Sequence, residues 1–136
     1  MDEFNDEVLK ELEAIPDSVD QKDLENRKDL TDEIIFTIDG ADTKDIDDAI
    51  SLTYKDNIYT LGVHIADVSH YVKENTALGD EAYNRGTSSY LADTVIPMIP
   101  HKLSNGICSL NEGVIRLTMS CVMNINSRGD IESYDI

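Results

Sequence analysis

Between residues 39 and 48 the chain crowds five aspartates into ten positions: Asp39, Asp42, Asp45, Asp47 and Asp48. Two carboxylates at ~4 Å repel by roughly 4 kcal/mol at an effective dielectric of 20. Such a segment folds only where solvent or a bound cation relieves that repulsion. It is flanked by two runs rich in β-branched and aromatic residues, 34–38 and 48–54, which read as strands. Two strand ends and the loop between them can therefore converge on one point. Side chains alternate along a strand, so Asp48, Ile50, Leu52 and Tyr54 share one face and Asp47, Ala49, Ser51 and Thr53 the other. Asp48 is expected to head the apolar face, at the mouth of a core, where a carboxylate must be hydrogen-bonded, protonated or metal-bound. Two readings stay open on residue types alone. Aspartate is common in turns and caps, so the loop reads as a solvated turn; or its oxygen-only donors, with no histidine or cysteine beside them, hold a hard cation such as magnesium or manganese. An EF-hand does not fit, because Gly40 follows Asp39 directly.

Charge narrows the partners. The 136 residues carry 28 Asp and Glu against 11 Lys and Arg, a net charge of −17. Residues 1–32 hold twelve acids against four bases and residues 33–136 sixteen against seven, so both parts are acidic. Affinity for nucleic acid rests largely on Lys and Arg neutralising phosphates. Contact with nucleic acid therefore has to be local, carried by metal ions, or supported by sequence elsewhere. The longest apolar runs are far short of the ~20 residues a membrane span needs. The acidic start has no basic stretch followed by an apolar one, so no secretory signal is expected. Cys108 and Cys121 make no disulfide framework, and a reducing cytoplasm is the expected compartment.

Along the chain, residues 4–14 read as a helix with Asn5 or Asp6 as cap, an apolar stripe of Val8, Leu9, Leu12 and Ile15, and Pro16 as stop. Residues 17–32 are polar and read as a linker or loosely packed arm, with room for a short helix at 21–28. The dense part begins at Ile34, and residues 58–66 are the hairpin partner of 48–54 across the turn at Asp56-Asn57. Residues 76–85 read as a helix with Thr76 as N-cap and Gly86 beyond its end. Residues 88–100 are extended, 104–106 a turn, 114–125 the longest strand, and 127–130 a hairpin turn into 131–136. The chain stops inside that strand, which suggests a piece of something larger, and Met1 is expected to mark an artificial start.

The ordered blocks resemble one family. Residues 37–50 (TIDGADTKDIDDAI), 64–72 (HIADVSHYV), 84–91 (NRGTSSYL), 95–100 (VIPMIP), 103–111 (LSNGICSLN) and 116–120 (RLTMS) are similar in order and spacing to the start of the catalytic RNB domain of the ribonuclease II/ribonuclease R family, on its ribonuclease R side. The likeness runs without large gaps over about residues 30–136. It implies a hydrolytic, processive exoribonuclease that degrades RNA from a single-stranded 3′ end to nucleoside 5′-monophosphates, with no DNA substrate and no membrane. It also implies that Asp39, Asp45, Asp47 and Asp48 hold Mg2+, or Mn2+ in its place, that Asp47 is the most sensitive for catalysis, and that Tyr90 stacks on a base near the RNA 3′ end. Asp42 lies inside the motif but outside that set. The sequence departs from the family at Ala92, where proline is usual, and at Ile115, where an aspartate commonly precedes the arginine. The resemblance further places the family's catalytic arginine, a glutamate, the basic RNA channel and an OB-fold domain downstream of Ile136, and cold-shock-like domains upstream.

The expected architecture is α+β: a strand-rich mixed sheet, the N-terminal part of an RNB catalytic domain over residues 33–136, behind an acidic helical arm or linker over residues 1–32. The isolated chain is expected to be inactive or nearly so. The alternative is a non-catalytic acidic module that takes calcium on the aspartate loop; a family member that has lost activity is a third reading. His64 and His70 are expected to serve packing or surface roles, Asp67 a cap or turn, Cys108 and Cys121 the core, and Lys44, Arg85 and Lys102 a solvated surface.

Overall fold

Asn5 opens the first helix. Its side chain accepts the Val8 N–H at 2.9 Å, and α1 runs over Asp6–Glu13 with Asp6 and Glu7 in its first turn and Lys10 in its last, as the helix dipole favours. A computed structural model describes residues 3–136 of the chain; the expected start at Met1 lies outside the described residues. An eight-residue helix is marginal alone. This one is held by tertiary contacts: Val8 is fully buried against Leu78, Leu103, Ile107 and Cys108, with Phe4, Leu12 and Ile15 packed around them. Lys102 Nζ donates to Leu12 O and Ile15 O at 3.1 and 3.0 Å, satisfying carbonyls at the helix end.

The second helix, α2 (Ala77–Arg85), is capped by Thr76, whose hydroxyl accepts the Gly79 N–H at 3.0 Å and donates to Lys73 O at 2.7 Å. It ends at Gly86, left-handed at φ 74°, where a side chain would strain the backbone. Both ends match the expectation for 76–85. Residues 17–32 hold a 3-10 turn at Gln21–Leu24. They are tied to residues 67–70 by Arg27 to Asp67 (2.8 Å) and Asp23 to His70 (3.1 Å).

The strands are β1 (Ile35–Phe36), β2 (Asp48–Lys55), β3 (Ile58–Ala66), β4 (Ser89–Tyr90), β5 (Val95–Ile96), β6 (Thr118–Ile125) and β7 (Ile131–Asp135). Five form one sheet in the order β1-β2-β3-β6-β7, and β4 pairs with β5 apart from it. The α+β class holds, with every pairing among the described residues antiparallel. Three boundaries are corrected. The strand expected over 34–38 shrinks to two residues at the sheet edge, with Ile34 and Ile38 86% and 82% exposed, because nothing packs on them to hold the ladder open-ended. The strand expected from 114 begins at Thr118, because Arg116 turns back to donate to Ser109 O at 2.9 Å instead of extending along the sheet. The turn expected at 104–106 is a wide helical turn over Leu103–Ile107, closed by Cys108 N–H to Leu103 O at 2.9 Å and broken at Gly106.

The two faces of the sheet are also exchanged relative to expectation. The closed face carries Ala49, Ser51, Gly62, His64 and Ala66, all buried, with Ser51 opposite Gly62 and Ala49 opposite His64. The face of Asp48, Ile50, Leu52 and Tyr54 is the open one, with Leu52, Ile65 and Met119 about half exposed or more. Small residues win the closed side because it is narrow. A Cβ on Gly62 would lie 2.3 Å from Ser51 Oγ and 2.7 Å from His64 Nε2.

Candidate metal and nucleic-acid site

The aspartate loop leaves β1 and enters β2, and its two halves are held differently. The first half, 39–43, carries one internal turn, Thr43 N–H to Gly40 O at 3.0 Å. The second half is fastened to the chain some 65 residues on. Lys44 O accepts the Ser109 hydroxyl at 2.7 Å, Ile46 N–H donates to the same Ser109 Oγ at 3.0 Å, and Ile46 O accepts the Leu110 N–H at 2.7 Å. Asp47 O accepts the Ala66 N–H at 2.9 Å, after which the β2–β3 ladder begins with Asp48 opposite Ile65. Asp45, Asp47 and Asp48 thus stand on fixed backbone.

Three other aspartates, Asp39, Asp45 and Asp48, bear on the charge of Asp47. The protein around the Asp47 carboxyl desolvates it and pushes it above the ordinary carboxylate value. A hydrogen bond from its own backbone opposes this, and the charges of Asp48, Asp45 and Asp39 add to the rise. Asp42 is exposed. Tyr90 comes to the same place from β4. Its hydroxyl donates to Asp45, and its own ionisation is pushed up by that bond first, then by burial and by the charges of Asp45 and Asp47. Tyr90 is 63% exposed. The β4–β5 turn closes through Leu91 N–H to Thr94 O at 2.8 Å with Ala92 inside it.

Asp48 does not sit at a core mouth, because its face is the open one, and it is exposed. Arg85 is not solvated, as expected of it, but spent on internal contacts, whereas Lys102 is exposed, as expected. Arg85 binds Glu81, Pro97 O and Glu3 O and lies 3.8 Å over the Phe4 ring, and Lys102 closes α1. Of the three cations, Lys44 alone is exposed beside the loop. His64 is buried, bonded to Ser51 and Ser120, and Asp67 takes Arg27 and Ser69 in a turn. Cys108 is core, its thiol pushed up to about 11 by burial, while Cys121 is half-buried on the sheet. Ser109, fully buried, is the residue the sequence reading passed over. The available signal was a hydroxyl set between Cys108 and Leu110, which must find partners if buried.

Among the described residues, no three or more Asp, Glu, His or Cys side chains stand together so as to hold a metal ion. The donors nonetheless suit a hard cation: all are carboxylate oxygens, and three like charges act on Asp47, a repulsion that a divalent ion would reverse.

Residues 27–136 match the RNB domain family. The chain is 62% identical over 135 residues to ribonuclease R of Thermotoga maritima, covering 98% of this chain and 19% of that protein. It is similar to the solved structure of Mycoplasma genitalium RNase R in complex with ribose methylated single-stranded RNA, at 35% identity and a TM-score of 0.91, covering 99% of this chain and 21% of that one. The same enzyme in complex with double-stranded RNA superposes at a TM-score of 0.92, also at 35% identity, covering 99% and 24%. The chain spans about a fifth of the length of such relatives. With its fold and four of its six sequence blocks meeting at the aspartate loop and the strands and turns around it, and with the family match extending over most of its length, the chain belongs to the RNB domain family.

Proposed function

We propose that this chain supplies the cation-holding half of the active site of a hydrolytic 3′-to-5′ exoribonuclease that releases nucleoside 5′-monophosphates. Asp39, Asp45, Asp47 and Asp48 would hold Mg2+ or Mn2+. When bound, the ion lowers the pKa of the attacking water and offsets charge on the leaving oxygen. Asp47, whose carboxyl its surroundings push above the ordinary carboxylate value, would orient that water or take its proton as it attacks the last phosphorus. Tyr90 stacks on a base beside that linkage, which contributes about 1–3 kcal/mol and tolerates any sequence. The observation that carries this reading is the backbone of 44–47, held by Ser109, Leu110 and Ala66 so that Asp45, Asp47 and Asp48 leave one fixed stretch of chain beside Tyr90.

With a net charge of −17, the chain has little of its own to hold a polyanion. Its expected activity alone is therefore none or nearly none. The test is a titration of the 136-residue chain with Mg2+ and separately with Ca2+, followed by the amide resonances of residues 39–48. Site-specific shifts at millimolar Mg2+ support the reading. Their absence counts against it, and Ca2+ binding more tightly than Mg2+ favours the non-catalytic calcium module. Release of mononucleotides from a single-stranded RNA by the chain alone would overturn the expected inactivity.

A further inference from the structure

We propose that Ser109 is a positioning residue for the aspartate loop, setting the backbone on both sides of Asp45 and so the direction in which the carboxylates meet a divalent cation. This rests on the reading that Asp39, Asp45, Asp47 and Asp48 take such an ion. Ser109 is 0% exposed. Its Oγ lies 2.7 Å from Lys44 O, 3.0 Å from Ile46 N and 3.1 Å from Asn111 Oδ1. A hydroxyl has one proton and two lone pairs. The proton goes to Lys44 O, the nearer acceptor, and a lone pair takes the Ile46 N–H. One oxygen therefore grips the residue before Asp45 and the residue after it, and leaves Asp45 no freedom to turn its backbone.

Ser109 is in turn fixed from both directions. Arg116 Nε donates to Ser109 O at 2.9 Å, Asn111 N–H donates to the same carbonyl at 2.8 Å, and Asn111 Nδ2 donates to Asn105 O at 3.2 Å. The next residue adds Leu110 N–H to Ile46 O. The contrast with residues 39–43, which have no such tie, marks 44–47 as the part of the loop whose geometry is imposed from outside.

Groups that orient a ligand typically change metal affinity about ten- to a hundredfold when removed. Ser109→Ala is expected to weaken Mn2+ binding by about tenfold or more, while the amides of β3, β6 and α2 keep their positions. Ser109→Thr keeps the hydroxyl and is expected to stay within about threefold of the natural chain, a rescue that a purely space-filling role would not give. Coupling is reciprocal, so in the unaltered chain Mg2+ must slow hydrogen exchange at the Ile46 N–H; this readout needs no variant and stands even if Ser109→Ala unfolds. Equal Mn2+ affinity in Ser109→Ala, or unchanged exchange at Ile46 on Mg2+ binding, overturns the proposal while leaving the metal reading intact. If the unaltered chain binds neither ion at residues 39–48, the metal reading itself fails and this proposal falls with it.

Discussion

The Tyr90 hydroxyl donates its hydrogen to the Asp45 carboxylate, joining β4 to the loop before β2 across 45 positions of sequence. The side chain assigned to the nucleic acid and one assigned to the cation therefore occupy each other. A cation that takes Asp45 through the same oxygen competes with the phenol for that oxygen's electron density. A hydrogen bond to a charged acceptor is worth about 1.5–3 kcal/mol at most, and solvent around this exposed tyrosine reduces it to a fraction of that. Tyr90→Phe is expected to tighten Mn2+ binding about two- to fivefold, measured by titration of the chain. Weaker binding in the variant would show that the hydroxyl helps to hold Asp45 in place.

A second cross-chain contact stabilises the arm. Glu11 on α1 accepts the Ala77 and Leu78 N–H groups, both at 2.9 Å, with its two carboxylate oxygens. Those are orphan donors at the start of α2, where a negative charge also meets the positive end of the helix dipole. Glu11→Ala is expected to cost about 1–3 kcal/mol. Glu11→Gln keeps one acceptor oxygen and should cost roughly half as much. The urea midpoints of the two variants, read at constant slope, check the order.

What the residues alone disclosed follows from the range of each interaction. The span of β3, Ile58–Ala66, and both caps of α2 were legible because alternation, Thr76 and Gly86 act within a few positions. The nearness of Asp45, Asp47 and Asp48 was legible for the same reason. Which sheet face closes was not. Alternation shows that Ile50 and Leu52 share a side, but only the register, with Ser51 opposite Gly62 and Ala49 opposite His64, shows that the other side is narrow enough to be sealed by small residues. Ser109 was equally hidden, since its bond to Ile46 spans 63 positions. The open strand end at 114–117 was misread because β propensity does not register that Arg116 has a better partner in Ser109 O.

Tyr71 points to a gain in stability. Among the described residues, its hydroxyl is the one buried side-chain polar atom without a hydrogen-bond partner. Burial, with Asp23 and Cys108 nearby, pushes its ionisation up to about 12. A buried unpaired hydroxyl costs about 1–3 kcal/mol of desolvation. Tyr71→Phe keeps the ring among the core side chains and removes that cost, so the variant is expected to be more stable by about 1 kcal/mol. Denaturation midpoints decide it; a lower midpoint would show that the hydroxyl finds a partner in solution.

His64 sets the response of the sheet to acid. It is 2% exposed, with Nε2 3.0 Å from Ser51 Oγ on β2 and Nδ1 2.7 Å from Ser120 Oγ on β6, so one ring joins three strands. Burial pushes the imidazole below its ordinary value, and the Glu33 charge only partly opposes this. The unfolded chain takes that proton near pH ~6.5, and the folded chain only at lower pH. The stability tied to neutral His64 is therefore fully present above pH ~6.5 and is lost progressively as pH falls from there toward the folded value. His64→Gln cannot titrate at this position, so the difference between the two chains isolates the buried ring. The stability of the natural chain minus that of the variant should be flat above pH ~7.5 and decline below ~6.5, by at most about 1.4 kcal/mol per pH unit. A difference that stays level down to pH ~5 would mean that the ring accepts a proton as readily in the sheet as in the unfolded chain, and that the Ser51–His64–Ser120 bridge does not keep it neutral.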